Sequence, residues 1–192
     1  FKDDFLNNEI FKKVSKCDTI IHLAGLNRHN DSKVILDTNI DLTQKLIEAL
    51  EKNSKVNHVI FSSSTQESKD NPYGKSKLKS KVLLSNWAEA NSKYFTNLII
   101  PNVFGPYCKP NYNSVVSTFS HQLINNDNPS IIVDNNIELI YIQNLVKKID
   151  DILTKKFNYR KYTKELKIKF DKKIFVSDLL FKLKKIKKDY ID

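Results

Sequence analysis

Apolar positions along this chain alternate between two patterns. Asp18–Leu23, Val56–Phe61 and Tyr94–Ile100 are short, nearly continuous apolar runs, as expected of strands buried on both faces of a parallel sheet. Residues 3–16, 31–51 and 73–91 instead carry apolar residues at helical spacing. Phe5, Ile10, Phe11 and Val14 mark the first stripe, Ile35, Leu42, Leu46 and Leu50 the second, and Leu83, Leu84 and Trp87 the third. The pattern further predicts helices over Ser114–Asn125 and Asn144–Thr154 and a short strand at Ile131-Ile132-Val133. A last helix is predicted on Val176, Leu179, Leu180, Leu183 and Ile186, with Ser177 as its N-cap. Strands alternating with helices predict an α/β fold built on a doubly wound parallel sheet.

Composition narrows this picture. The 192 residues, 40% of them hydrophobic, suit one α/β domain. No window has the apolar length of a membrane span, and the charged start Phe1-Lys2-Asp3-Asp4-Phe5 lacks the apolar core of a signal peptide. Cys17 and Cys108 form no C-x-x-C pair, so a reduced, cytoplasmic chain is expected, and the histidines and cysteines lack the spacing of a metal site. The net charge of +10 is concentrated late in the chain. Between 155 and 188, thirteen lysines and one arginine face Glu165, Asp171 and Asp178, a net +11, which leaves the remainder about neutral. That tail has no interleaved aromatic platform, and Lys, Asn and Ile are over-used throughout, so no nucleic-acid partner is read from it.

Candidate chemistry centres on Asn71-Pro72-Tyr73-Gly74-Lys75-Ser76-Lys77. Tyr73 and Lys77, four apart, lie on one face of a helix. A cation about 4 Å from a phenol, in an effective dielectric of about 20, favours the phenolate by about 4 kcal/mol. That brings a phenol of ordinary pKa about 10 close to the working range of a general acid. The bare spacing is equally that of a solvated helix face in a lysine-rich chain; the surroundings give it weight. Ser62-Ser63-Ser64 ends the strand before it, and Pro101-Asn102-Val103-Phe104-Gly105-Pro106 follows the strand after it. Ligands of open α/β sheets bind at those carboxyl ends.

In that order, Ile20-Ile21-His22-Leu23-Ala24-Gly25, the serine run, Tyr73-x-x-x-Lys77 and the Pro101–Pro106 loop resemble the extended short-chain dehydrogenase/reductase (NAD-dependent epimerase/dehydratase) family. His22-Leu23-Ala24-Gly25-Leu26-Asn27-Arg28, Asp70-Asn71-Pro72-Tyr73-Gly74 and Cys108-Lys109-Pro110-Asn111-Tyr112-Asn113-Ser114-Val115 are most similar to the reductase domain of the bifunctional capsular-polysaccharide enzymes of the CapF type. The resemblance implies a Rossmann-like fold, with residues 1–154 a partial NAD(P)-binding domain and 155–192 a basic segment of the substrate lobe. It implies NADP(H) or NAD(H) as cofactor, held by His22, Leu23, Ala24, Gly25, Tyr73, Lys77, Pro101 and Asn102. Tyr73, Lys77 and Ser64 become the catalytic residues, and Ser64, Asn102, Lys109, Asn111 and Asn113 the contacts to a UDP-sugar. The implied reaction is reduction of the 4-keto group of a UDP-linked 6-deoxy amino sugar, in the UDP-N-acetyl-L-fucosamine route to a surface glycan. Epimerase or dehydratase chemistry of the same family is the alternative, and an inactive remnant or dimerisation module the non-enzymatic one. Pairing of helices 31–51 and 73–91 between subunits implies a homodimer.

The residues leave some choices open. Ser62 or Ser63 competes with Ser64, His22 reads equally as a core histidine, Arg28 as a surface residue, and the Lys109–Asn113 segment as a polar loop. Two positions depart from the family pattern: Ile99 replaces a common arginine, and Asn144 a common acid. The chain has only Gly25, Gly74 and Gly105, no G-x-x-G-x-x-G, and no methionine. It is therefore expected to be a fragment that lacks the glycine-rich phosphate-binding unit and the cupin domain.

Overall fold

A computed structural model describes residues 9–52, 55–154 and 162–191. In chain order the elements are α1 (Glu9–Val14), β1 (Thr19–His22), α2 (Ser32–Lys52), β2 (His58–Ser64), α3 (Pro72–Ala90), β3 (Tyr94–Ile100), β4 (Asn102–Phe104), α4 (Val115–Ile124), β5 (Asn136–Tyr141), α5 (Ile142–Thr154), β6 (Thr163–Lys167), β7 (Lys172–Phe175) and α6 (Val176–Tyr190). The chain forms two compact units. One contains the described residues through Ile100 together with β6; the other runs from Pro101 through α5 and resumes at Ile168. The family resemblance implies a boundary after residue 154; the compact units follow strand pairing, in which β6, from the basic tail, hydrogen-bonds to β3.

The first unit is a four-stranded parallel sheet in the order β1-β2-β3-β6. The expected helix and strand types hold here, with small differences in boundary. β2 extends three residues past Phe61, because Ser62, Ser63 and Ser64 pair in register with Leu98, Ile99 and Ile100. Backbone pairing is indifferent to side-chain polarity, so the serines are the end of the strand itself. Leu50, Val59, Leu84 and Phe95 meet in the core with Leu46 and Trp87, and full burial of such a side chain contributes about 1.5–3 kcal/mol. The expected helix over 3–16 is α1 within the described residues; residues 3–8 lie outside them.

The second unit carries a three-stranded sheet in the order β4-β5-β7, with β4 parallel and β7 antiparallel to β5. Phe119, Leu123, Val176 and Leu180 pack on one side of its core, and Leu139, Ile174 and Leu179 on another. Two expectations fail. Ile131–Val133 is not a strand; Ile132 and Val133 are exposed, and the strand is β5, a few residues on. Ser177 does not cap α6, which begins one residue before it. Instead Asp134, from the segment expected to be that strand, accepts the Ser177 backbone N–H at 3.0 Å, the work of an N-cap done from a distant loop.

Candidate functional site

The site in the first unit is built where β2 runs into α3. Asn71 caps α3 by accepting the Gly74 N–H at 2.7 Å, and Pro72 follows at the first helical position. The connecting loop is wound tight: Glu67 N donates to Ser64 O at 2.9 Å and Lys69 N to Gln66 O at 2.8 Å. It lies directly on the first turn of α3. A Cβ at Gly74 would collide with Gln66 O and stand 2.7 Å from Lys69 O. Glycine is required there for backbone-to-backbone approach, and that approach places Tyr73 beside the serine-bearing strand end.

Lys77 is 3% exposed. Its Nζ donates to Ser62 O at 2.8 Å and stands 4.7 Å from the Phe61 ring centre and 5.6 Å from that of Tyr73. Burial lowers its pKa to about 8, while the Glu67 charge acts to raise it. Across from it, His22 is buried against Phe61, with ring centres 5.4 Å apart. Burial, reinforced by the Lys77 charge, lowers its pKa to about 4, so it is neutral at physiological pH. Its Nε2 has no hydrogen-bond partner among the described residues. Gly25 stands at the mouth of this group; a Cβ there would lie 3.2 Å from the Lys77 ammonium.

The three serines are distinguished by their hydrogen bonds. Ser62 Oγ donates to His22 O at 3.2 Å, and Ser63 Oγ donates to the Glu67 carboxylate. Ser64 Oγ accepts from Gln66 N at 3.2 Å, which leaves its own proton available to donate. His22, Gly25, Ser64, Tyr73 and Lys77 therefore belong to one unit, with exposed Leu23 and half-buried Ala24 following β1.

The sequence reading missed Asn39. It is 4% exposed, and it clamps the loop after β1 by accepting from Leu26 N at 2.6 Å and donating to Leu26 O at 2.8 Å. It also donates to Ser76 Oγ at 2.8 Å, and Ser76 donates in turn to Tyr73 O at 2.7 Å. One turn on, Thr43 donates to Ser80 at 2.8 Å. The signal was present: Asn39 and Thr43 fall on the Ile35–Leu46 stripe at helical spacing, whereas Leu42 is only half-buried.

The remaining candidates belong to the second unit. Asn102 donates to Glu138 O at 3.1 Å. Lys109 Nζ stands 5.8 Å from the Tyr112 ring centre, and Asn111 N donates to Thr118 Oγ1 at 2.9 Å. Asn113 is exposed and Pro101 buried. Tyr107 and Asn111 hold left-handed backbone, φ 65° and 54°, an unusual conformation for a bulky residue such as Tyr107. A cavity of about 380 Å³ opens here, lined among others by Phe104, Tyr107, Cys108, Ser117 and His121. At the carboxyl end of β5, Asp171 accepts from Tyr141 N at 2.8 Å and Asn144 Nδ2 at 2.9 Å. An acidic group thus stands at Asn144 even though that position is not itself acidic.

The parallel sheet, the serine-ended strand and the Tyr73/Lys77 turn with its buried lysine are features of one enzyme class, and residues 2–163 match the NAD dependent epimerase/dehydratase family model. The chain belongs to that family. It is 34% identical, over 76% of its length, to UDP-2-acetamido-2,6-beta-L-arabino-hexul-4-ose reductase of Pseudomonas aeruginosa strain PA103, of which it covers 39%. Among solved structures it is similar to the capsular polysaccharide assembling protein CapF from Staphylococcus aureus (27% identity, TM-score 0.77, 97% of this chain and 49% of that one). The fold alone is shared with UDP-glucuronic acid 4-epimerase from Bacillus cereus, solved with UDP-glucuronic acid and NAD (22% identity, TM-score 0.85, 96% of this chain and 64% of that one). The chain spans less than half the length of the reductase, and about half that of CapF. The polar groups of the first unit leave room for a bound cofactor of the family. Lys77 gives one of its three N–H groups to Ser62 O among the described residues, His22 Nε2 is unmatched, and Gly25 offers no side chain.

Proposed function

We propose that this chain carries the catalytic centre for NAD(P)H-dependent reduction of the 4-keto group of a UDP-linked 6-deoxy amino sugar, in the UDP-N-acetyl-L-fucosamine route to a capsular or surface glycan. The observation that carries the reading is the buried Lys77 beside Tyr73 at the Ser64 strand end, in a chain similar to a 4-keto-sugar reductase. The cofactor, when bound, supplies hydride to C4. Ser64 donates its hydroxyl proton in a hydrogen bond to the C4 carbonyl oxygen and stabilises the charge that develops there. Tyr73 then transfers its phenolic proton to that oxygen, giving the alcohol. Lys77 holds positive charge beside the phenol, which eases the transfer, and donates to the nicotinamide ribose. His22, Leu23, Ala24 and Gly25 border that half of the cofactor. Pro101 and Asn102 contribute from the post-strand loop, and Lys109, Asn111 and Asn113 bind the nucleotide-sugar. The left-handed backbone at Tyr107 and Asn111 supports a binding role for that loop.

Tyr73→Phe keeps the ring and removes the proton donor, so kcat falls by about 10²–10⁴-fold with cofactor binding nearly intact. The assay uses the protein expressed from its complete gene, a UDP-4-keto sugar and NADPH; retention of about half of wild-type kcat refutes the assignment. Epimerase or dehydratase chemistry is the second reading, favoured by the family match. Stoichiometric consumption of NADPH supports reduction, and purely catalytic cofactor use supports the alternative.

A homodimer through α2 and α3 belongs to the same proposal. Leu78 and Val82, one turn apart on α3, are exposed apolar residues in support of it, and a concentration-independent monomer mass in light scattering would exclude it. So does a cytoplasmic setting, supported by the free thiols of Cys17 and Cys108 and tested by fractionation. No helix among the described residues is long and apolar enough to cross a membrane.

A further inference from the structure

Beneath the Ser64–Tyr73–Lys77 group lies a second polar cluster with no part in the chemistry above. Its centre is Glu67, whose side chain is 8% exposed. Lys81, on α3, donates to Glu67 Oε1 at 2.7 Å and to Glu165 Oε2, on β6, at 2.6 Å. Asn97, on β3, donates Nδ2 to Glu67 Oε2 at 3.1 Å and to Glu165 Oε2 at 3.3 Å. Ser63, on β2, donates to Glu67 Oε2. β2, β3 and α3 are thus tied to the Glu67 carboxylate, and β6 joins them through Glu165.

Two features set this cluster apart from an ordinary surface ion pair. First, Asn97 is 1% exposed, and its Oδ1 is buried without a partner among the described residues. An unsatisfied buried acceptor costs about 1–3 kcal/mol, and an apolar residue in the sheet interior avoids that cost. The stability of the sheet alone does not account for it. Second, among these named groups Lys77 completes the balance of charge. Glu67 and Glu165 carry two negative charges, Lys81 one positive, and Lys77, one turn earlier on α3, supplies the other.

Glu67 also sits within the loop that shapes the site. Its N–H holds Ser64 O, its carboxylate holds Ser63, and Gln66 just before it and Lys69 two residues after it press on Gly74 next to Tyr73. Resting on the function proposed above, we infer that Glu67 is a positioning residue: its clamped carboxylate fixes the loop between Ser64 and Tyr73 and supplies the counter-charge for the Lys77 ammonium. The groups facing Lys77 are then accounted for on every side. His22 on β1 is neutral, Phe61 and Ser62 O on β2 carry no formal charge, Asn39 on α2 and Gly25 do not titrate, Tyr73 and Lys81 share its helix, and among the described residues Glu67 is the carboxylate whose charge acts to raise the Lys77 pKa.

The test is Glu67→Gln in the protein expressed from its complete gene, with Glu67→Asp as the charge-retaining control. Two quantities are measured: the pH profile of kcat, and the titration of the Lys77 amine by NMR of lysine-labelled protein. Loss of the negative charge lets burial depress Lys77 below its value of about 8. In Glu67→Gln both the amine titration and the alkaline limb of kcat therefore move to lower pH, and kcat at pH 7 falls at least about tenfold from misplacement of the loop. KM changes little, and Glu67→Asp retains the wild-type limb. An amine titration and alkaline limb that stay in place in Glu67→Gln overturn the inference, whatever happens to melting temperature. If Glu67→Gln does not fold, Lys81→Met decides: it frees the Glu67 charge from its ion pair, so the amine titration and the alkaline limb move to higher pH, and a titration and limb that stay in place overturn the inference. The two proposals separate cleanly. If wild-type protein does not reduce the 4-keto sugar but the amine titration still follows the Glu67 charge, the proposed reaction falls and the positioning role stands.

Discussion

Lys77→Met should make the protein more stable near neutral pH and inactive at once. In the unfolded chain the Lys77 amine keeps its proton up to about 10.5; in the folded chain, burial lowers that value to about 8. The difference corresponds to about 3 kcal/mol against the folded state wherever the amine is charged in both states. Below pH 8 the whole of that penalty is present. Between pH 8 and 10.5 the unfolded chain binds the extra proton, so stability rises with pH by about 1.4 kcal/mol per pH unit, and above 10.5 the penalty is gone. Methionine fills a similar volume against Phe61 without charge, but it leaves Ser62 O without its donor at 2.8 Å. Losing that bond offsets about 1–2 kcal/mol. The expected net gain for Lys77→Met at pH 7 is then about 1–2 kcal/mol, shrinking to nothing or reversing by pH 10.5. Urea denaturation of both proteins at several pH values measures it. Taking the difference between them cancels the many other lysines and tyrosines that titrate in the same range. A difference that does not change between pH 7 and 10, or a variant clearly less stable than wild type at pH 7, would refute the account of Lys77 as a buried charge kept for chemistry at the expense of stability.

Other outcomes follow from the same geometry. His22 has its folded value lowered from 6.5 to about 4 by burial and by Lys77, so the stability it contributes is complete above pH 6.5 and is lost as pH falls toward 4, by about 3 kcal/mol in all. His58, lowered by burial to about 4, acts with the same sign. Melting temperatures at pH 7 and pH 5 should therefore diverge in wild type and diverge less in His22→Phe; an equal drop in both would show that His22 is not the sensor. Asn39→Ala removes three hydrogen bonds to Leu26 and Ser76 and should cost about 2–4 kcal/mol in urea unfolding while raising the KM for cofactor. A loss below about 0.5 kcal/mol would mean the β1 loop and α3 hold together without it.

Hydrophobic periodicity alone located β1, β3, α2 and α3, because continuous apolar runs and helical stripes report how deeply each segment is buried. The one-turn spacing of Tyr73 and Lys77 was equally legible, since helical pitch is a local rule. The sequence could not give the partner of each segment. β6 and β7 are short and lysine-rich, and they become strands only because β3 and β5 present unpaired backbone edges to them. Ile131–Val133 had the better strand composition and no such edge, so it remained a loop and lent Asp134 to cap α6. Ser62, Ser63 and Ser64 were interchangeable as letters; their different hydrogen bonds to His22, Glu67 and Gln66 distinguish them only once β1, β2 and the following loop are assembled. No sequence pattern singled out Glu67, whose cluster with Lys81, Asn97 and Glu165 joins residues up to 98 positions apart. Local chemistry fixes what each segment can become, whereas burial of a charge, and hence the lowered pKa of Lys77, is a property of the assembled packing.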